Sequence, residues 1–294
     1  VGGTGVARPE LSPDFFKGHG LGNDYLVFET GAAWRATAEA LSSVCDRRTG
    51  VGSDGIVVVS GRNEGVWRLR MFNPDGGEFE RSGNGLRVFG AWLRARGAKG
   101  SVDVEVGGER VVLDLGRGRE GRGGPITVEM GRAALGPEAV GAARTKLGGG
   151  ARPVHRLHGP LDVTFVSVGN PHAVLLGVDP EGEFLGEVGP WLETHSSLPR
   201  GVNVQVGRVE GPGALRIRIW ERGVGETPAS GTSACAAAAV AVHRKLLDPG
   251  LVAVRMPGGE LTVEVSPALD LRLRGPVAEV ATGRLTSAFL ARLG

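Results

Sequence analysis

The 294-residue chain carries 34 basic and 32 acidic side chains, and a net charge of +2 offers no electrostatic grip on nucleic acid or an anionic membrane. No apolar run approaches the ~18 residues of a membrane helix, and 41% hydrophobic with 22% charged residues is ordinary for a soluble globular protein. The length suits about two domains of roughly 150 residues.

In chain order, residues 1–9 are Gly-rich and lack an apolar centre, so they read as a frayed leader rather than a signal peptide. Residues 36–47 read as a helix, and Gly50-Val-Gly52-Ser-Asp-Gly55 then leads into the strand-like run 56–59. A dinucleotide fingerprint needs the strand first and the helix second, so this GxGxxG is read as a turn feeding a strand. A strand at 67–72 and a Gly-rich bend lead to Ser82-Gly83. Leu86, Phe89 and Leu93 then follow helical spacing, with Gly97 as the stop. Strands are expected at 102–106 and 111–115, an interdomain stretch near 131–153, and further strands at 162–168, 202–206 and 214–220. After Ser230-Gly231 the run 234–247 is almost all alanine and aliphatic residues and ends at Asp248-Pro249-Gly250. A helix so uniformly apolar belongs in the interior. Strands at 261–265 and 277–280 close the chain. The 51 glycines, spread between these short runs, fit many strands joined by sharp turns.

The chain also resembles itself. The stretch from Met71 to Gly85 aligns without a gap on that from Ile219 to Ser233, at a shift of 148 positions. Gly77-Glu78 then faces Gly225-Glu226, and Ser82-Gly83 faces Ser230-Gly231. Gly22-Asn23 faces Gly169-Asn170 at a shift of 147. Two motifs sharing nearly one shift, half the chain long, argue for an internal duplication. The expected fold class is α+β: two pseudo-symmetric domains, each a curved mixed sheet around a central helix.

Each Ser-Gly stands at a helix start. Singly, each serine reads as an N-cap. As a pair in two facing domains, they would bring two helix N-termini to one cleft, where N–H groups hold an anion such as a carboxylate. Gly22-Asn23-Asp24 and Gly169-Asn170-Pro171-His172 read first as turns, and Glu221-Arg222 as a surface ion pair. Cys45 and Cys235 show no metal-ligand spacing and read as buried thiols in a reducing cytoplasm. No GxSxG elbow or Ser/His/Asp spacing supports a hydrolase.

Eight segments in order resemble the diaminopimelate epimerase family. They are Phe15 to Tyr25, Cys45 to Gly55, Phe72-Asn-Pro-Asp-Gly76, Ser82-Gly-Asn-Gly-Leu-Arg87, Val168-Gly-Asn-Pro-His172, Gly201-Val-Asn203, Trp220-Glu-Arg-Gly-Val-Gly-Glu-Thr227 and Met256-Pro-Gly-Gly-Glu-Leu261. The resemblance implies domains at 12–140 and 141–294, with the final strand from about 276 returning to the first. It implies a cytoplasmic, cofactor-independent isomerase that interconverts LL- and meso-diaminopimelate by two-base proton transfer, on the route to lysine and peptidoglycan. Neither pyridoxal phosphate nor a metal is implied; the partner is a small-molecule substrate, not nucleic acid or membrane, and a homodimer is implied. Carried over residue by residue, Ser82 and Ser230 fall at the two catalytic positions, with His172 and Glu221 beside them. Asn23, Asn73, Asn170, Asn203 and Arg222 match substrate contacts. Gly83, Asn84, Gly231 and Thr232 match the groups that cradle the reacting carboxylate.

The departure from the family is chemical, because it uses cysteine at both catalytic positions. A thiol of pKa ~8.5 can be tuned to a thiolate at a helix N-terminus, whereas a serine hydroxyl needs a neighbour to act as a base. Three readings stay open. The chain is an epimerase slowed by Ser/Ser or assisted by His172 or Glu226; or a related isomerase acting on another amino acid or a more acidic carbon; or an amino-acid-binding homologue without the chemistry.

Overall fold

The computed structural model describes residues 7–116, 124–142 and 153–293. It divides into two compact units: the described residues up to Thr127 together with those from Pro276, and Val128–Gly275. The chain leaves the first unit at Thr127, ahead of the 140 placed from the sequence; residues 143–152 of the expected interdomain stretch lie outside the described residues. So do residues 1–6 of the expected leader. From Ala7 onward the chain is pinned: Arg70 donates to the Ala7 carbonyl at 2.9 Å, Arg8 to the Gly76 carbonyl at 2.9 Å, and Ala36 N–H to the Pro9 carbonyl at 2.9 Å.

The first unit is a mixed sheet of β1 (Glu10–Gly20), β2 (Asn23–Thr30), β3 (Gly55–Asn63), β4 (Val66–Phe72), β5 (Ser101–Val106) and β6 (Glu109–Asp114). Neighbours alternate antiparallel and parallel in that order, and the closing strand Ala278–Arg284 pairs with the free side of β1. Each parallel step needs a crossover. Helix α1 (Ala38–Cys45) makes the one from β2 to β3, and α2 (Gly83–Ala95) the one from β4 to β5. Alternation along the strands separates the two layers. Leu26, Phe28, Ile56, Val58 and Phe72 pack with Leu41 and Val44 of α1. Leu86, Val88, Phe89 and Trp92 of α2 are buried, and Trp67 of β4 meets Phe89 and Trp92 edge-on.

The second unit repeats this order. Its strands β7 (Thr164–Ser167), β8 (Pro171–Leu176), β9 (Asn203–Gly211), β10 (Ala214–Glu221), β11 (Gly250–Met256), β12 (Gly259–Val265) and β13 (Asp270–Gly275) are likewise joined by mixed parallel and antiparallel pairing. β8/β9 and β10/β11 are its parallel pairs, crossed by α3 (Phe184–Glu193) and α4 (Gly231–His243). α2 and α4 are both 13 residues long and start 148 positions apart. The hairpins before them are clamped alike: Arg70 makes two bonds to Glu78 at 2.8 and 2.7 Å, and Arg218 two to Glu226 at 2.7 and 2.8 Å.

Most expected elements are present with longer bounds, and the fold is the expected α+β class. The GxGxxG segment is a turn leading into β3, with Gly52 at φ +78°. α3 was not legible: it holds Pro190, Gly186 and Gly189, yet Leu185, Val188 and Leu192 fill the core against Ala173, Leu175, Val204 and Val206. α4 starts at Gly231, three residues before its apolar run, and Gly231 to Val242 are all buried. Among the described residues no helix is long and apolar enough to cross a membrane.

Candidate active site

In the first unit the chemistry-bearing residues gather at the N-terminus of α2. The hairpin Asn73–Gly77 turns the chain from β4 toward Ser82, with Asn73 exposed at its start and its N–H bonded to the Gly77 carbonyl at 2.8 Å. Ser82 is the N-cap; its Oγ accepts the Gly85 N–H at 3.1 Å. The plain capping reading therefore holds for this serine. Gly83 and Asn84 form the first turn, whose N–H groups have no intrahelical acceptor and point to where an anion would sit. Asn84 donates to the Asn23 amide oxygen at 2.8 Å and accepts from the buried Arg87.

Behind Asn23 lies an ionic lattice that sequence reasoning missed. Asn23 donates to Asp54 at 3.0 Å; Arg47 bridges Asp24 and Asp54, at 2.6 Å to each; Lys17 stands 3.1 Å from Asp24. The signal was present as charges in and beside the turn motifs: Asp24 in one, Asp54 in the other, and Arg47 at the end of the helix-like run that precedes it. Burial raises the Asp24 carboxyl, but hydrogen bonds and charge from Arg47 and Lys17 outweigh it and hold it below the usual carboxylate range. A depressed folded pKa stabilises above the unfolded value of ~3.9 and is lost as pH falls through the folded one. Asp24→Asn is accordingly expected to lower the urea midpoint at pH 7, and the gap from the parent should close below about pH 4. A gap that stays constant to pH 2 would show that the Asp24 charge contributes nothing.

In the second unit the equivalent helix start differs. Ser230 occupies the N-cap of α4, is 6% exposed, and makes no side-chain capping bond. Its Oγ lies 3.5 Å from Thr232 Oγ1, and Asn170 donates to Thr232 at 3.4 Å. The Asn170 oxygen is 2.8 Å from His172 Nε2, and His172 Nδ1 is 3.3 Å from Gln205 Oε1. His172 is fully buried; desolvation pushes it down to about 3, with a push from the Arg222 charge and only partial opposition by Gln205. Burial thus favours the uncharged imidazole, a weak base whose two nitrogens both have partners. Glu226, the other assisting base considered, accepts two bonds from Arg218, one from Nε and one from Nη2.

Glu221 ends β10 and accepts the Thr227 hydroxyl at 2.6 Å. Arg222 is exposed, and its guanidinium donates to the Arg200 carbonyl at 2.8 Å. Asn203 braces this corner: its amide donates to the Pro171 carbonyl at 3.0 Å and accepts the Arg222 N–H at 3.0 Å. Both cysteines are buried. Burial drives the Cys45 thiol up to about 11, an inert value.

The family model for diaminopimelate epimerase matches residues 15–136 and 164–278. The diaminopimelate epimerase of Desulforudis audaxviator is 39% identical over 285 residues, covering 92% of this chain and 98% of that one. That of Neisseria meningitidis is 35% identical over 280 residues, covering 92% and 97%. Among solved structures, a hydroxyproline epimerase from Agrobacterium vitis superposes with a TM-score of 0.67 at 16% identity, covering 92% of each chain. A phenazine biosynthesis protein of the PhzF family from Bacillus anthracis gives 0.64 at 17%, covering 93% and 98%. Those two likenesses carry the fold; the extended sequence identity carries the kinship, and this chain belongs to the diaminopimelate epimerase family.

Proposed function

We propose that this chain interconverts LL- and meso-diaminopimelate, removing the α-proton on one face of the carbon and returning one on the other, with Ser82 and Ser230 as the two proton-handling groups. The observation that carries the reading is that each unit ends its hairpin on a serine at the start of a buried helix, α2 in one and α4 in the other. The first-turn N–H groups of Gly83, Asn84, Gly231 and Thr232 bind the α-carboxylate and stabilise the charge that spreads onto it as the proton leaves. Arg222 takes a second carboxylate through its guanidinium fork. Asn23, Asn73, Asn170 and Asn203 orient the distal ammonium and carboxylate, while Glu221 binds the ammonium or assists proton transfer.

With His172 neutral and Glu226 clamped, Glu221 is the ionisable side chain left to assist Ser230. An unassisted hydroxyl is a weak base near neutral pH, so a slow epimerase is expected. The chain's role is in lysine and peptidoglycan precursor synthesis in the cytoplasm, where the two buried thiols stay reduced; its two halves descend from one duplicated unit, and two copies of the whole chain assemble as a homodimer. The serines themselves favour a second reading: the same recognition groups serving an isomerase of a more acidic carbon, for which a weaker base suffices.

The test is incubation with LL-diaminopimelate in deuterium oxide, following α-deuteration and meso product by NMR. Both signals are expected. Binding by calorimetry with neither signal would reject the epimerase and favour the second reading.

A further inference from the structure

β9 places Asn203 and Gln205 two residues apart, on the face opposite Val204, and parallel β8 sets His172 level with Asn203. Beneath α4 this makes a row of buried polar groups in an otherwise apolar layer. Gln205, His172 and Ser233 are all 0% exposed. Gln205 Nε2 lies 3.0 Å from Ser233 Oγ, which adds a far end to the links already described. The row therefore runs Ser233, Gln205, His172, Asn170, Thr232, Ser230.

Both ring nitrogens of His172 face amide oxygens, Gln205 Oε1 and Asn170 Oδ1. Two acceptors require two N–H donors, hence an imidazolium. Burial drives His172 strongly away from its charged form. A neutral ring has one N–H and one lone pair, so one flanking amide must be turned end for end, a change that costs no shape.

Two arrangements then run one way through every link, the second with Thr232, which accepts from Asn170, giving its single proton to Ser230. With Asn170 turned, Ser230 O–H donates to Thr232, Thr232 to Asn170, Asn170 to Nε2, Nδ1–H to Gln205 and Gln205 to Ser233. With Gln205 turned, Ser233 O–H donates to Gln205, Gln205 to Nδ1, Nε2–H to Asn170, Asn170 to Thr232 and Thr232 to Ser230. In the first the Ser230 oxygen keeps its lone pairs for the substrate; in the second it keeps its proton.

We propose that this buried row is a one-way hydrogen-bond chain that sets the orientation of the Ser230 hydroxyl, making Gln205 and Ser233 positioning residues for Ser230. The proposal rests on the epimerase reading of Ser230, but the chain itself is testable without substrate. Its two long links lie at the Ser230 end, where a bound substrate can compete for them.

The experiment uses the full chain labelled with ¹⁵N-histidine. Long-range ¹⁵N–¹H NMR at pH 7 is expected to show His172 as a single neutral tautomer. Gln205→Met, which keeps the shape and removes the amide, should turn it into a mixture. Ser230→Ala and Thr232→Val should shift the His172 nitrogen signals from the other end, whereas Ser233→Thr, which keeps the hydroxyl, should preserve the tautomer that Ser233→Ala loses. In parallel, Gln205→Met should lower kcat about tenfold at unchanged KM, and should add less than twofold in a Thr232→Val background, because the chain is already cut there. A doubly protonated His172, a tautomer indifferent to these substitutions, or fully multiplicative effects would overturn the proposal. If the parent exchanges no α-proton, the epimerase reading falls, and the NMR arm still decides the chain.

Discussion

Replacing Ser82 and Ser230 together by cysteine is expected to raise α-proton exchange on diaminopimelate by about 10²–10⁴-fold, the range that a well-matched acid–base pair contributes. Both residues stand at the N-terminus of a buried 13-residue helix, where partial positive charge favours a thiolate. The Gly85 N–H that now caps Ser82 would bond to the thiolate and lower its pKa further. A hydroxyl gains from the same field but starts far above neutral pH. Each turnover needs a base on one face and an acid on the other, so either single substitution should recover only part of the gain. The measurement is deuterium incorporation and meso product per unit time, beside circular dichroism to confirm that the double variant is folded. A folded double variant with no gain would mean that these residues are shaped for another substrate.

The largest expected loss of stability comes from Gly50→Ala. A Cβ there would lie 2.1 Å from the Ser43 carbonyl oxygen, 2.8 Å from that of Val44 and 2.9 Å from that of Asp46. These are backbone atoms at the end of α1, and Gly50 N–H is bonded to the Asp46 carbonyl at 3.0 Å, so relief requires unwinding the helix end or moving the turn into β3. A cost of about 3 kcal/mol follows from forced overpacking, or roughly 6–12 °C in Tm for a unit of this size. Gly186→Ala is the control: its Cβ meets nothing within 4 Å and the position is exposed on α3. There alanine should stabilise by about 0.5–1 kcal/mol. Equal melting temperatures for Gly50→Ala and the parent would refute the steric account.

The difference between those glycines shows where sequence reading reached its limit. The order of Gly50, Gly52 and Gly55 after a helix and before a strand was enough to exclude a dinucleotide turn. It could not show which glycine lies against a backbone. α2 was legible because Leu86, Phe89 and Leu93 keep helical spacing. α3 was hidden because two glycines and a proline mask a periodicity that only the facing strands make meaningful. Ser82 met the capping expectation, while Ser230, which shares the Ser-Gly pair and the helix start with it, turned instead to Thr232.

The sequence alone determined the family, the class of fold and the identity of the residues at the helix starts, because these are local patterns repeated in order. What only the tertiary structure decided is the charge and direction of the groups. Desolvation favours the uncharged form of His172 and weakens it as a base, Nε and Nη2 of Arg218 hold Glu226, and Arg47 and Lys17 favour the ionised form of Asp24. The strength of such interactions is set by burial and by partners distant in the chain, which spacing along the chain does not encode. Gln205 is the plainest case: along the chain it is one polar residue in an apolar strand, and in the fold it is the partner of a buried imidazole.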